Sequence, residues 1–309
     1  MKITISAPGK VHLLGEHTVV YGKPALIASL DKRLSVTISA SKKDLEIESE
    51  CDHLVLEAIQ VFKSRFKNSD FPQLKITVNS DIPSGCHLGS SAAVSVAMIG
   101  ALLKFVKNLW NPSLINELAF EVEKKQHHNP SGGDNTTVTF GGLVWFRKEF
   151  EFLKSIWSLP QVSYHIPEFL FINTGKPKEN TGDMVTLVKE LWSNKQEEFR
   201  KILDDQEIQT KKLLLSIREK DYKTLKECIK KGEKNLEELG VVSDFVKNII
   251  REIEDNGGAA KICGGGGVTK GTGILLCYHD DINILKSVAE KNNLENFTAK
   301  LGGEGVRIE

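Results

Sequence analysis

Apolar and polar residues alternate over residues 3–7, where Ile3, Ile5 and Ala7 interleave with Thr4 and Ser6. They alternate again over residues 75–79, around Ile76 and Val78. A period of two marks a half-buried strand. Residues 33–40 and 45–48 also read as strands. Residues 51–66 have helical spacing, and 94–103 form an apolar run long enough for a buried helix. Asn111 and Pro112 open a further helix, Asn as cap and Pro at the first position. It carries Ile115, Leu118, Ala119 and Val122 on one face and ends near Glu123. A turn over 127–135 follows, then a strand over 136–147 interrupted by Gly141 and Gly142.

Beyond about residue 150 the texture changes. Residues 168–173 read as a strand, and residues 182–256, rich in Lys, Glu and Leu at helical spacing, as four helices with solvated charged faces. Residues 259–263 and 273–277 read as two strands around Gly264-Gly-Gly-Gly-Val-Thr-Lys-Gly-Thr272. The change of texture divides the chain into two domains, 1–165 and 166–309.

Composition narrows the function. A chain of 309 residues, 40% of them hydrophobic, can bury a large core. Forty-one basic residues balance forty-one acidic ones, so a broad electrostatic grip on nucleic acid or on an anionic membrane is not expected. The five cysteines form no C-x-x-C pair, which points away from a disulfide framework or structural zinc and toward a reducing cytoplasm. The first residues lack the apolar core of a signal peptide. No segment reaches the ~20 apolar residues of a membrane-spanning helix.

Four stretches carry candidate chemistry. Residues 82–93, Ile-Pro-Ser-Gly-Cys-His-Leu-Gly-Ser-Ser-Ala-Ala, sit between a strand and a helix N-terminus. The first N–H groups of a helix have no partner inside it and attract anions. Gly85 and Gly89 let the backbone approach a phosphate; Ser90 and Ser91 can cap the helix or offer hydroxyls. A plain turn with a serine cap fits this stretch alone equally well. Residues 7–25 place Lys10, Glu16 and His17 among glycines and apolar neighbours, where polar groups need partners. In the 127–135 turn, Asp134 follows two glycines on a loop between helix and strand. Adjacent His127 and His128 lack metal-ligand spacing. Finally, ordering the glycine run 264–267 carries an entropy cost that a close approach to a ligand would justify. The run matches neither a Walker A loop nor a dinucleotide fingerprint.

Taken together, Pro8-Gly-Lys-Val-His-Leu-Leu-Gly-Glu-His17, Pro83-Ser-Gly-Cys-His-Leu-Gly-Ser-Ser-Ala-Ala93 and the glycine run resemble the three motifs of the GHMP kinases. Within that superfamily the likeness is greatest to the mevalonate kinase family. Gly15-Glu-His-Thr-Val-Val-Tyr-Gly-Lys-Pro-Ala-Leu26 resembles its first motif, and His128-Asn-Pro-Ser-Gly-Gly-Asp-Asn135 its catalytic-aspartate loop. The resemblance implies a two-domain α+β fold, with a ribosomal-S5-like N-terminal domain and a ferredoxin-like C-terminal domain. It implies transfer of the γ-phosphoryl of ATP to the primary hydroxyl of mevalonate, giving 5-phosphomevalonate for isoprenoid biosynthesis. Pro83, Ser84, Gly85, Cys86, His87, Leu88, Gly89, Ser90, Ser91 and Ala92 would wrap the ATP phosphates. Ser91 and Glu123 would hold Mg²⁺. Asp134 would take the hydroxyl proton with Lys10 beside it, and Glu16 and His17 would complete the mevalonate pocket. The partners are then small molecules, and a homodimer is the assembly to look for.

These roles suit phosphoryl transfer, which asks chiefly for positioning and charge neutralisation. The chain departs from the family twice. His87 stands where the family has Gly, and Cys263 where it has Thr, leaving Thr269 and Thr272 as alternatives for the missing hydroxyl. Two rivals remain. A phosphomevalonate kinase would need a cluster of Lys and Arg, of which residues 15–24 hold only Lys23. A ligand-sensing homologue without catalysis would not need Lys10, Ser91, Glu123 and Asp134 together.

Overall fold

The computed structural model describes residues 2–67, 71–83, 85–126 and 130–309. Ser84 of the candidate phosphate loop, and His127, His128 and Asn129 of the histidine turn, lie outside the described residues. The chain opens with strand β1 (Lys2–Leu14), antiparallel to the 17-residue β2 (Pro24–Ala40). Alternation in the sequence stops at Ala7, yet β1 runs on to Leu14. A register shift between Pro8 and Lys10 absorbs Gly9, and Lys10 pairs with Ser29. Proline and glycine are tolerated in strands at such irregularities.

Strand β3 (Leu45–Glu48), helix α1 (Asp52–Arg65) and strand β4 (Leu74–Ser80) form a parallel crossover, and β4 pairs with the second half of β2. Helix α2 (Ser90–Lys107) follows the candidate phosphate loop, and its residues 92–103 are buried. It has the length and apolarity to cross a membrane, but here it is the core helix. Helix α3 (Pro112–Gln126) precedes a short helix α4 (Gly133–Phe140). The strand expected over 136–147 is therefore corrected: only its second part is extended, as β5 (Leu143–Lys148). The β-branched run Thr136-Thr-Val-Thr139 favours strand, but tertiary context overrides that preference. Gly132, at φ 85°, turns the chain into α4, Thr136 Oγ1 donates to its carbonyl at 2.6 Å, and residues 135–139 are buried. Strand β6 (Lys154–Leu159), with no clear signature in the sequence, pairs with β5, which pairs with the first part of β2.

The second sheet contains β7 (Phe169–Asn173), β8 (Ala259–Ile262), β9 (Ile274–Tyr278) and β10 (Glu295–Ala299). Its order is β10-β7-β9-β8, and every pairing is antiparallel. Helices α5 (Thr181–Asn194), α6 (Gln196–Glu219), α7 (Tyr222–Glu238) and α8 (Asp244–Asp255) are the four expected between β7 and β8, and α9 (Ile282–Lys291) follows β9. Phe169, Phe171, Ile274 and Leu276 belong to the core shared with the first sheet, whereas Leu170, Ile172, Leu275 and Cys277 pack with α5, α8 and α9. Burial on both faces explains why these strands read as continuous apolar runs. A final short strand, β11 (Arg307–Ile308), returns to pair with β1.

Phe171 is fully buried in the shared core and stacks on Phe297 at 5.2 Å. Phe171→Ala should lower stability by about 3–5 kcal/mol, read as a lower urea midpoint. A shift worth under about 1 kcal/mol would show that the sheets do not share a core there.

Candidate active site

Between β4 and α2 the backbone is left-handed at Gly85, His87 and Gly89, with φ of 69°, 65° and 78°. Gly89 is the N-cap of α2, and no side chain caps the helix, so neither serine spends its hydroxyl there. The first intrahelical bond runs from Ala93 N–H to Gly89 C=O, at 2.9 Å. The N–H groups of Ser90, Ser91 and Ala92 therefore have no acceptor within the helix. Ser91 and Gly85 are exposed, while Cys86 and Leu88 are buried beneath the loop. Such a cradle fits a phosphate.

His87 occupies a conformation that favours glycine. Its ring packs on the glycine-rich segment: a Cβ on Gly273 would lie 3.1 Å from His87 Cδ2. Burial, and then the nearby Lys10, push its pKa down to about 4. From the segment after β7, Lys176 lies across the loop, its Cε 2.8 Å from where a Cβ on Gly85 would be.

The loop is fastened to β1. Lys10 N–H donates to Leu88 C=O at 2.9 Å, and a Cβ on Gly89 would lie 2.6 Å from Lys10 Cγ. Strand geometry puts Lys10 and His12 on one face. Both reach Asp134 in the first turn of α4: Lys10 Nζ lies 2.9 Å from Oδ2, and His12 Nε2 lies 2.9 Å from Oδ1. Lys10 and His12 are buried, whereas the Asp134 side chain remains 30% exposed. Burial raises the Asp134 pKa, but Lys10 and His12 outweigh it and hold the carboxyl well below the usual range. Asn135 fixes α4 against α3 through a 2.6 Å bond from Nδ2 to Asn116 Oδ1.

Glu123, on α3, has the opposite character. Burial, reinforced by the Asp134 charge, pushes its pKa up to about 8. Its Oε2 is buried with no partner among the described residues. A buried carboxylate oxygen with an open lone pair, and a serine hydroxyl at an uncapped helix N-terminus, are the kinds of ligand a hard divalent cation takes. Lys154 reaches in from β6, its Nζ 3.1 Å from the centre of the Phe120 ring, and burial lowers its pKa to about 8.

Glu16 and His17 face the second sheet. Glu16 pairs with Lys261 of β8, and both are buried. Lys261 Nζ also donates to the carbonyls of His12, at 3.2 Å, and Ile262. His17 Nε2–H donates to Gly265 C=O at 3.1 Å, and burial pushes its pKa down to about 4. The expectation that the glycine run approaches a ligand finds a closer explanation in the protein itself. A Cβ on Gly266 would lie 2.1 Å from Val241 O, and one on Gly267 2.9 Å from Gly271 O. Thr269 donates to Glu179, Thr272 is wholly buried, and burial pushes the Cys263 thiol up to about 12. His12 and Lys261 were not singled out from the sequence. The Lys10-x-His12 spacing on a strand was the signal for the first; nothing local marked the second. Grooves between α6 and α7, and between α1 and α3, share no residue with this site.

Residues 53–142 match the family described as the GHMP kinases N terminal domain. A mevalonate kinase from Archaeoglobus fulgidus is 32% identical, over 85% of this chain and 88% of its own. A crystal structure of L. major mevalonate kinase in complex with R-mevalonate superposes with a TM-score of 0.79 at 19% identity, covering 96% of this chain and 95% of that one. A Streptococcus pneumoniae phosphomevalonate kinase gives 0.78 at 19%, covering 97% and 99%. The fold alone therefore does not separate the two activities.

Glu233, fully buried on α7, accepts Ile262 N–H at 2.9 Å, and burial pushes its pKa from 4.5 up to about 8. A raised carboxyl binds its proton more tightly in the folded chain, so the stability it gives is lost as pH rises from 4.5 to about 8. Glu233→Gln should therefore lose less stability than the wild type between about pH 5 and 8, by about 1–3 kcal/mol in thermal unfolding. Parallel pH curves would refute this.

Proposed function

This chain belongs to the mevalonate kinase family of the GHMP kinases, and we propose that it moves the γ-phosphoryl of ATP onto the primary hydroxyl of mevalonate. It is a phosphotransferase with an alcohol acceptor, and its product, 5-phosphomevalonate, serves isoprenoid biosynthesis. The observation that carries the site assignment is the Lys10–Asp134 contact of 2.9 Å beside an open helix N-terminus.

In this reading, residues 83–92 wrap the nucleotide phosphates, with the backbone N–H groups of Ser90, Ser91 and Ala92 as donors. Asp134 accepts the hydroxyl proton. As a weak base, it suits a loose transition state in which the proton leaves late. Lys10 keeps Asp134 ionised and stabilises charge developing on the hydroxyl oxygen. His17 and Glu16 form the substrate-side wall, Glu16 through its pairing with Lys261. Kinases of this family need a divalent cation, and we assign Mg²⁺ to Ser91 and Glu123, where it would neutralise phosphate charge. The phosphomevalonate reading is disfavoured because Lys23 is already bound to Asp204 and Glu207, at 2.7 and 3.1 Å.

We place the domain division near 165, with β11 returning to the first sheet. Five cysteines without a disulfide among the described residues support a cytoplasmic enzyme, and a net charge of zero supports one acting away from anionic membranes. The exposed Phe152 and Trp157 on the β5–β6 hairpin are the apolar surface that a homodimer would cover.

Asp134→Asn should lower kcat on mevalonate by about 10²–10⁴ with the fold intact; near-wild-type turnover would remove Asp134 as the base. Glu123→Gln should shift the Mg²⁺ titration of activity at least about tenfold upward, and an unchanged titration would take Glu123 out of the cation site.

A further inference from the structure

His12 is a costly residue at its position. Its side chain is buried, and Nδ1 has no partner among the described residues. An apolar side chain would fill the same space without stranding a polar atom. The one gain is at Nε2, 2.9 Å from Asp134 Oδ1. Asp134 is ionised and accepts only, so Nε2 carries the proton. Nδ1, buried and unpartnered among the described residues, does nothing to hold the ring.

The ring is held from outside. The backbone of His12 pairs with Ile27 of β2, and its carbonyl accepts from the buried Lys261. Lys10 claims the other carboxylate oxygen, Oδ2, from two residues away on the same strand. A carboxylate held by one donor can turn about its last side-chain bond, where the torsional preference is broad. Held by two donors on separate oxygens, it cannot turn without breaking one.

Resting on the kinase reading above, we propose that His12 is a positioning residue for phosphoryl transfer. Its Nε2–H pins Oδ1 of Asp134, so that Oδ2, beside Lys10, is the oxygen presented to the substrate hydroxyl. His12 touches no substrate and carries no transferred proton. It acts through Asp134 alone, and its removal therefore affects turnover rather than nucleotide binding.

The test compares wild type, His12→Leu, His12→Gln, Asp134→Asn and the His12→Leu/Asp134→Asn double variant, with MgATP and mevalonate. His12→Leu should lower kcat about 10–100-fold while KM for ATP stays within about twofold. His12→Gln keeps an N–H donor and should recover to within about fivefold of wild type. In the Asp134→Asn background, His12→Leu should cost less than about twofold, because residues acting as a unit are not additive. Unchanged kcat in His12→Leu overturns the proposal. So does a Gln variant as slow as Leu at equal thermal stability, or an equal loss in both backgrounds. If the Leu variant does not fold, His12→Met takes its place in every comparison. An active Asp134→Asn single variant would refute the base assignment itself, a result separable from any of these.

Discussion

The buried pair of Lys261 and Glu16 is the contact on which the arrangement of this molecule turns. Lys261 is fully buried on the second sheet, and Glu16 lies just past the end of the long first strand, after Gly15. Taking both charges out of water costs several kcal/mol per ion, and their attraction recovers this only when the remaining hydrogen bonds are met. Here the ammonium spends its three donors on Glu16 and on the carbonyls of His12 and Ile262. Two of those acceptors belong to the segment that carries Lys10 and His12, so the contact that joins the sheets also fixes the strand from which the site is built. Gly232 of α7 extends the seam, for a Cβ there would lie 2.2 Å from Leu14 Cδ2.

Within the site, two carboxylates are driven apart by their surroundings. Asp134 sits between an ammonium and an imidazole N–H and stays ionised; Glu123 is desolvated, close enough to feel the Asp134 charge, and holds its proton into the neutral range. Opposite shifts on neighbouring acids commonly separate their roles. A group that keeps its charge can orient and receive a proton. A group that resists charge becomes a good ligand once a cation replaces that proton. The backbone N–H groups at the start of α2 supply the remaining positive potential, in a protein whose formal charges cancel.

Much of this was legible in the sequence, and the gaps have physical causes. Residues 75–79 announced β4 through their alternation, 94–103 announced α2 as an apolar run, and 182–256 announced the four central helices through their spacing. The strand through Pro8 and Gly9 was hidden, because those residues usually end a strand and only the shift opposite β2 shows that they do not. Helix α4 was hidden by its β-branched residues, which are helical because the neighbouring elements bury them. His87 is the reverse case. A histidine where glycine is preferred was visible as an anomaly, but its resolution, a ring laid on Gly264 and Gly273, depends on residues more than a hundred positions away. Lys261 lay in a strand-like run and gave no local sign of its partner.

The last turn of α4 is closed by residues far along the chain. Val306 N–H donates to Thr139 C=O at 3.0 Å, Gly142 N–H donates to Gly303 C=O at 2.8 Å, and a Cβ on Gly305 would lie 2.1 Å from Thr139 O. The helix that presents Asp134 is thus completed across the whole span of the second half. Loop closure over that distance must precede the contacts that reward it. The arrangement of Lys10, His12 and Asp134 therefore closes only once a non-local contact is made, and a first half severed from the second would leave α4 without its end and the His87 ring without the glycines it rests on.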